Sequence, residues 1–220
     1  MTESIALYGY WRSSAAYRVR IGLNLKGLAY QLQPVHLVRE GGDQHGADFV
    51  ALNPQRLVPV LRHGGQVIRQ SMAILEYLDE ACAGPQLLPA AAVERARVRA
   101  LAQLVACDIH PLNNLRVVQY LARELDVDEA ARDEWTRHWI RIGFEALEAL
   151  LASDPLTGRY CHGDAPGLAD CCLVPQVYNA RRFALAMDRY PTITRIDAAC
   201  QALPAFQQAH PSQQPDAAPG

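Results

Sequence analysis

The spacing of apolar and polar positions changes character once along this chain, near residue 90. Before that point, β-like runs alternate with helical ones. Residues 5–10, IALYGY, read as a short strand, and Trp11 to Ser14 as a polar turn. In the following AAYRVRIGLNLKG, apolar residues fall at Ala15, Val19 and Leu23 and again at Ile21 and Leu25, with Gly27 as a stop. Two apolar stripes predict a helix buried on both sides. Residues 29–35, AYQLQPV, predict a second strand with Pro34 at its end or on an edge. A loop rich in Gly, Asp and His, Arg39 to Gly46, then leads to a short helical patch ending at Leu52. In RLVPVLRHGGQVIRQS, two β-like runs flank His63-Gly64-Gly65, a hairpin signal. Ser71 is placed to cap the helix that follows, whose inner face carries Ile74, Leu75 and Leu78. The order β-α-β-α-β-β-α predicts a compact α/β unit.

Residues 83–91, AGPQLLPAA, hold two prolines and a glycine and read as a linker. Beyond them the β signal disappears. Helical periodicity covers 92–123, 128–153, 168–185 and 191–202, with Pro155, Pro166, Pro191 and Pro204 as punctuation. The ending HPSQQPDAAPG is expected to trail over the surface. The predicted organisation is therefore an α/β domain over 1–83, a linker over 84–91 and an all-helical domain over 92–220, without internal repeats.

The charge balance removes several classes of function. Twenty-one basic residues against 23 acidic ones give a net charge of −2, with no general electrostatic reason to bind nucleic acid or an anionic membrane. No apolar run approaches the roughly 18 residues of a membrane span. The N-terminus lacks a basic region followed by an apolar one, which argues against secretion. The six cysteines, Cys82, Cys107, Cys161, Cys171, Cys172 and Cys200, form no C-x-x-C pair and match no zinc spacing. They read as buried or idle thiols in a reducing compartment, so the expected setting is cytoplasmic and the expected metal content is none.

Local chemistry concentrates where the first helix begins. YWRSSAAYRVRIGL, Tyr10 to Leu23, packs Arg12, Ser13, Ser14, Arg18 and Arg20 into fourteen residues. A cap alone would need one serine. A helix N-terminus offers unpaired N–H groups and about half a positive charge, so extra hydroxyls there suit an anion, including a thiolate.

Several motifs in order resemble the cytosolic glutathione transferases: the βαβαββα unit, Val58-Pro59 entering the third strand, Gln70-Ser71 before the third helix, and a helical second half. RSSAAYRVRIGLNLKG is similar to the signature of the zeta class, S-S-C, any residue, an aromatic or His, then R-V-R-I-A-L. ALNPQRLVPVL, QSMAILEYLDE, DIHPLNN, LADCCLVPQVYNARRF and QQPDAAP extend the similarity over nearly the whole chain. The bacterial maleylacetoacetate and maleylpyruvate isomerases are nearest in pattern.

The resemblance implies a thioredoxin-like N-terminal domain with an all-α C-terminal domain, a homodimer, and reduced glutathione as cofactor. It implies Ser13 as the thiolate donor with Ser14 in support. Ser13, Ser14, Ala15, Gln44, Val58, Pro59, Gln70, Ser71, His110 and Asn114 would hold glutathione. Arg12, Arg116 and Arg182 would bind a small dicarboxylate substrate, and Arg12 would act in catalysis beside the serines. Val58-Pro59 corresponds to the family's cis-proline. Arg18 and Arg20 are expected to serve the fold, and Arg181 to be a solvated neighbour of Arg182. His110 and Arg116 are poorly spaced for one helical face unless Pro111 kinks the chain. In PGLADCCLV the cap position is Gly167, so Asp170 can reach back to the backbone but no side chain can reciprocate.

Two positions depart from the pattern. The signature cysteine is Ala15, so a reactive sulfur must come from glutathione itself. The signature alanine is Gly22, which eases helix packing at a propensity cost of up to about 1 kcal/mol. The implied reaction is the glutathione-dependent cis–trans isomerisation of maleylacetoacetate to fumarylacetoacetate in tyrosine, phenylalanine and homogentisate catabolism. The alternatives are maleylpyruvate isomerisation in the gentisate pathway, which Arg116 would favour by drawing in a nearer carboxylate, and general glutathione transfer or dehalogenation of α-halo acids. A non-catalytic glutathione-binding protein is disfavoured by the arginines, and a thiol–disulfide oxidoreductase by the missing thiol.

Overall fold

A computed structural model describes residues 4–217. The chain forms two compact units: one runs to Leu87 and includes the stretch from Gln201 onward, and the other is Leu88–Cys200. In the first unit, β1 (Ile5–Gly9), α1 (Ser14–Leu25), β2 (Gln31–Pro34), α2 (Ala47–Leu52), β3 (Val60–His63), β4 (Gln66–Arg69) and α3 (Ser71–Ala81) follow in order. The sheet order is β2-β1-β3-β4, with β1 parallel to β2 and antiparallel to β3, and β3 antiparallel to β4. Leu7 faces Leu32 on one neighbour and Leu61 on the other. Ile5, Leu7 and Leu61 pack with Val19 and Leu23 of α1 and Ile74 and Leu78 of α3. Val35, Phe49 and Val60 form a second apolar cluster. This is the α/β unit the pattern predicts, in the thioredoxin-like arrangement the family resemblance implies.

Helix α1 is buried nearly all round, from Ala16 to Leu23. The reason for Gly22 follows: a methyl group there would collide with Leu75 of α3. The small residue lets two helices approach at a place where alanine would force a shift.

The second unit is helical: α4 (Ala92–Gln103), α5 (Leu115–Arg123), α6 (Glu129–Ser153), α7 (Leu168–Arg182) and α8 (Pro191–Gln201). Asp128 caps α6 by accepting from Ala131 N at 2.8 Å, and Asn114 caps α5 by accepting from Arg116 N at 3.2 Å. The helical periodicity over 92–123 is interrupted in the structure. Residues 104–109 form a π-helical turn and 110–113 a 3₁₀ turn before α5. Pro111 cannot donate an i→i−4 bond, and Ile109 packs where Gly143 of α6 leaves no room for a side chain of its own. Arg97 ties α4 to the loop between α6 and α7, donating to Asp154 Oδ2 at 2.6 Å, Thr157 Oγ1 at 2.7 Å and Cys161 O at 2.8 Å.

The stretch from Gln201, expected in the helical domain, groups instead with the α/β unit. Nor does its described part trail over the surface. Helix α9 (Pro204–Ala209) packs on α1, where Asn24 Nδ2 donates to Ala205 O and Arg20 Nε to Ala209 O, both at 2.9 Å. Pro211 and Gln214 are buried, and Asp216 accepts from Trp11 N at 2.9 Å. Buried polar groups on α1 that needed partners recruit the tail. Residues 218–220, the end of that motif, lie outside the described residues. Among the described residues, no helix is long and apolar enough to cross a membrane.

Candidate functional site

The turn after β1 delivers Arg12, Ser13, Ser14 and Ala15 to one place. Ser13 is the N-cap of α1 in extended backbone (φ −68°, ψ 118°), and its Oγ accepts from Ala16 N at 3.2 Å. Its main chain is fixed as well: Ser13 N donates to Tyr10 O at 3.0 Å, and Tyr17 N to Ser13 O at 2.9 Å. A hydroxyl that accepts at a cap keeps its own proton to donate, so capping and anion binding coexist in Ser13. The N–H groups of Ser14 and Ala15 have no intrahelical acceptor by the geometry of a first turn. That turn carries no Asp or Glu, so its partial positive charge is not neutralised from within. Arg12 is exposed, its guanidinium 5.4 Å from the Trp11 ring centroid.

A second helix entrance lies in the same unit. The Val58–Pro59 peptide is cis, and Val58 precedes the β3–β4 ladder, which begins at Val60. Gln70, not Ser71, is the N-cap of α3; Ser71 is the first helical residue. Gln70 takes φ 70° and ψ 120°, a backbone region costly for a residue with a side chain, and it marks a constrained position. Its Nε2 donates to Gln55 Oε1 at 2.9 Å. Ser71 is buried, and its Oγ accepts from Arg18 Nη1 at 3.3 Å. Arg18, expected only to serve the fold, thus sets a buried cation behind the start of α3, whose first turn also lacks an acid. Such an entrance suits a carboxylate.

Gln44 was expected to face a ligand. Its side chain is turned inward and its Nε2 donates to Leu37 O at 3.2 Å, holding its own loop. Gly42 permits this, since any side chain there would collide with Gln44. That contact uses one amide hydrogen and leaves Gln44 Oε1 without a hydrogen-bond partner among the described residues.

In the helical unit, His110, Asn114 and Arg116 follow the π-helical turn. His110 opens the 3₁₀ turn, Asn114 spends its Oδ1 on the α5 cap, and Arg116 is exposed in the first turn of α5. Arg182 is exposed at the end of α7, its guanidinium 4.7 Å from the Phe183 ring centroid. Arg181 is not merely solvated: its Nη1 bonds the buried Asp197 Oδ2 at 2.7 Å. Asp170 accepts from Gly167 N at 2.8 Å and Cys161 N at 2.9 Å, so it closes the α7 entrance.

Three of the six cysteines are poor nucleophiles where they stand. Burial, with the Asp170 carboxylate adjacent, pushes the Cys161 and Cys200 thiols up, and burial raises Cys82 as well. Among the described residues, no group of three or more His, Cys, Asp or Glu is placed to hold a metal ion.

Known proteins bear on this geometry. The family model for the glutathione S-transferase N-terminal domain matches residues 12–81. The probable maleylacetoacetate isomerase of Vibrio cholerae serotype O1 is 56% identical over 97% of this chain and 99% of that protein. Among solved structures, a holo maleylpyruvate isomerase described as a bacterial zeta-class glutathione transferase superposes with a TM-score of 0.94. It is 54% identical, covering 97% of this chain and 100% of that one. The maleylacetoacetate isomerase of Methylobacterium extorquens AM1, solved with bound malonate and glutathione, also gives a TM-score of 0.94. Its identity is 44%, over 97% of this chain and 100% of that one.

Proposed function

Because this chain belongs to the zeta class of the glutathione transferases, we propose that it is a glutathione-dependent cis–trans isomerase converting maleylacetoacetate to fumarylacetoacetate. The observation that carries the reading is the α1 entrance: a serine-capped helix N-terminus with no carboxylate in its first turn and no thiol of its own. The donor set fits a tripeptide thiol. The hydroxyls of Ser13 and Ser14 and the first-turn N–H groups suit the sulfur, Gln70, Ser71 and the α3 N-terminus suit the γ-glutamyl carboxylate, and the main chain of Val58 suits an extended peptide.

When bound, glutathione supplies a sulfur nucleophile that adds reversibly across the substrate's cis double bond and is released unchanged. The protein's part is electrostatic and geometric. The α1 N-terminus and Ser13 hold the sulfur as thiolate at neutral pH, where a free thiol, with a pKa of about 8.5, is mostly protonated. Arg12, one residue before Ser13, grips a substrate carboxylate and lowers the cost of negative charge developing beside it. Arg116 and Arg182 are assigned to substrate carboxylates, and His110 and Asn114 to glutathione, on the strength of the family pattern. The enzyme is assigned to the cytoplasm as a homodimer on the same basis.

A second reading, maleylpyruvate isomerisation, is favoured by the 54%-identical neighbour of that name. The two substrates differ in the length of the chain carrying the second carboxylate. Measuring kcat/KM for each with reduced glutathione decides: a higher value for maleylacetoacetate with a fumaryl product supports the first reading. A higher value for maleylpyruvate supports the second. Sulfur-conjugated products from chlorinated acids, with neither isomerisation, would replace both with glutathione transfer.

A further inference from the structure

The Tyr10–Ser13 turn carries Arg12 and Ser13, and its main chain is gripped from two directions. Arg20, fully buried on α1, donates Nη2 to Trp11 O at 3.0 Å and Nη1 to Tyr10 O at 3.5 Å. Its Nε holds Ala209 O of the C-terminal stretch at 2.9 Å. Across the Tyr10–Trp11 peptide, whose C=O and N–H point opposite ways, Asp216 Oδ2 accepts from Trp11 N at 2.9 Å. The carboxylate comes from 205 residues further along the chain.

This contact is a poor device for stability alone. Asp216 Oδ1 is shut off from solvent and meets no hydrogen-bond donor among the described residues, a cost that a neutral side chain would lower. What the contact does accomplish is directional. With Trp11 N–H aimed at Asp216, and Tyr10 and Trp11 carbonyls aimed at Arg20, the peptides before Arg12 cannot swing. The Trp11 side chain leaves from the residue so gripped, and its ring centroid stands 5.4 Å from the Arg12 guanidinium. Ser13 shares the Tyr10 carbonyl with Arg20 through its own N–H at 3.0 Å, but the helix it caps holds it as well. Its Oγ accepts from Ala16 N and its carbonyl from Tyr17 N, so it has anchors that do not pass through Trp11.

We propose that Asp216 is a positioning residue for the isomerisation, acting through Trp11 to aim Arg12 at the substrate carboxylate while leaving the thiolate seat at Ser13 untouched. The role rests on the isomerase reading above. It divides the turn into a half aimed by the tail and a half held by the helix.

The test compares wild type, Asp216→Ala and Asp216→Asn by maleylacetoacetate kinetics, by the pH titration of bound glutathione thiolate absorbance, and by amide hydrogen exchange at Trp11. In Asp216→Ala, Trp11 N–H exchanges faster and kcat/KM falls about tenfold or more, mainly through substrate KM, while thiolate titration stays at the wild-type position. Asp216→Asn keeps an acceptor for Trp11 N and recovers most of the activity. Wild-type kinetics in Asp216→Ala would overturn the role. So would equal losses of thiolate formation and activity in both variants, because that would make Asp216 a support of the whole fold. A wild-type protein that isomerises nothing would instead overturn the functional reading, and this role with it.

Discussion

Helices α1 and α7 begin in opposite ways. At α7 the first turn contains its own anion: Asp170 lies buried, takes N–H bonds from Gly167 and Cys161, and uses up the polar capacity of the entrance. At α1 the cap is a neutral hydroxyl, the first turn has no acid, and an exposed arginine stands just outside. Both entrances satisfy the backbone. Only α1 leaves positive potential for something that is not part of the protein. The residue at the third helical position decides between a folding clasp and an anion seat: Asp170 in α7, Ala16 in α1.

The largest expected effect comes from opening the closed entrance. Asp170→Ala orphans two N–H groups in a buried setting and should lower stability by about 4 kcal/mol, read as a large drop in the denaturation midpoint. Loss of less than about 1 kcal/mol would show that the clasp is dispensable. Next comes the open entrance: Ser13→Ala should reduce kcat/KM about 100-fold while costing only about 1 kcal/mol of stability, the usual value of a lost cap. Closing it artificially sharpens the contrast. Ala15→Asp places a carboxylate in the first turn of α1 and should weaken glutathione binding about tenfold in calorimetry with the melting temperature nearly unchanged. The smallest effect is Gly167→Ser. Backbone angles of −141° and −160° accept any side chain there, so giving α7 the serine cap of α1 should add a few tenths of a kcal/mol, seen as a slightly raised melting temperature.

Much of this was legible in the sequence because it lives in periodicity and turn chemistry. The period-2 runs around His63-Gly64-Gly65 gave the β3–β4 hairpin, and the serines after Arg12 gave the α1 cap. Asp170 reaching back to Gly167 was also readable from three-residue spacing. What escaped depends on long-range partners. Nothing near Gln44 announces that its amide turns inward to Leu37 O, and nothing near Arg18 announces Ser71, 53 residues on. The polar ending looked like a loose tail because its anchors, Trp11 N and Arg20, lie at the other end of the chain. At Ser71, residue type misled: serine suits a cap, but the positive φ at Gln70 moves the cap one residue earlier. The π-helical turn at 104–109, which ends where Ile109 packs against Gly143 of α6, has no signal in the local apolar pattern.

The central claim is that the α1 entrance holds a sulfur anion supplied from outside the protein. The most direct measurement is the pH titration of thiolate absorbance from glutathione bound to wild type and to Ser13→Ala. The thiolate of the wild-type complex should form well below the free-thiol range near about 8.5, and in Ser13→Ala its titration should move back toward that range. A wild-type complex that titrates like free glutathione, or a Ser13→Ala complex that titrates like wild type, would contradict the account.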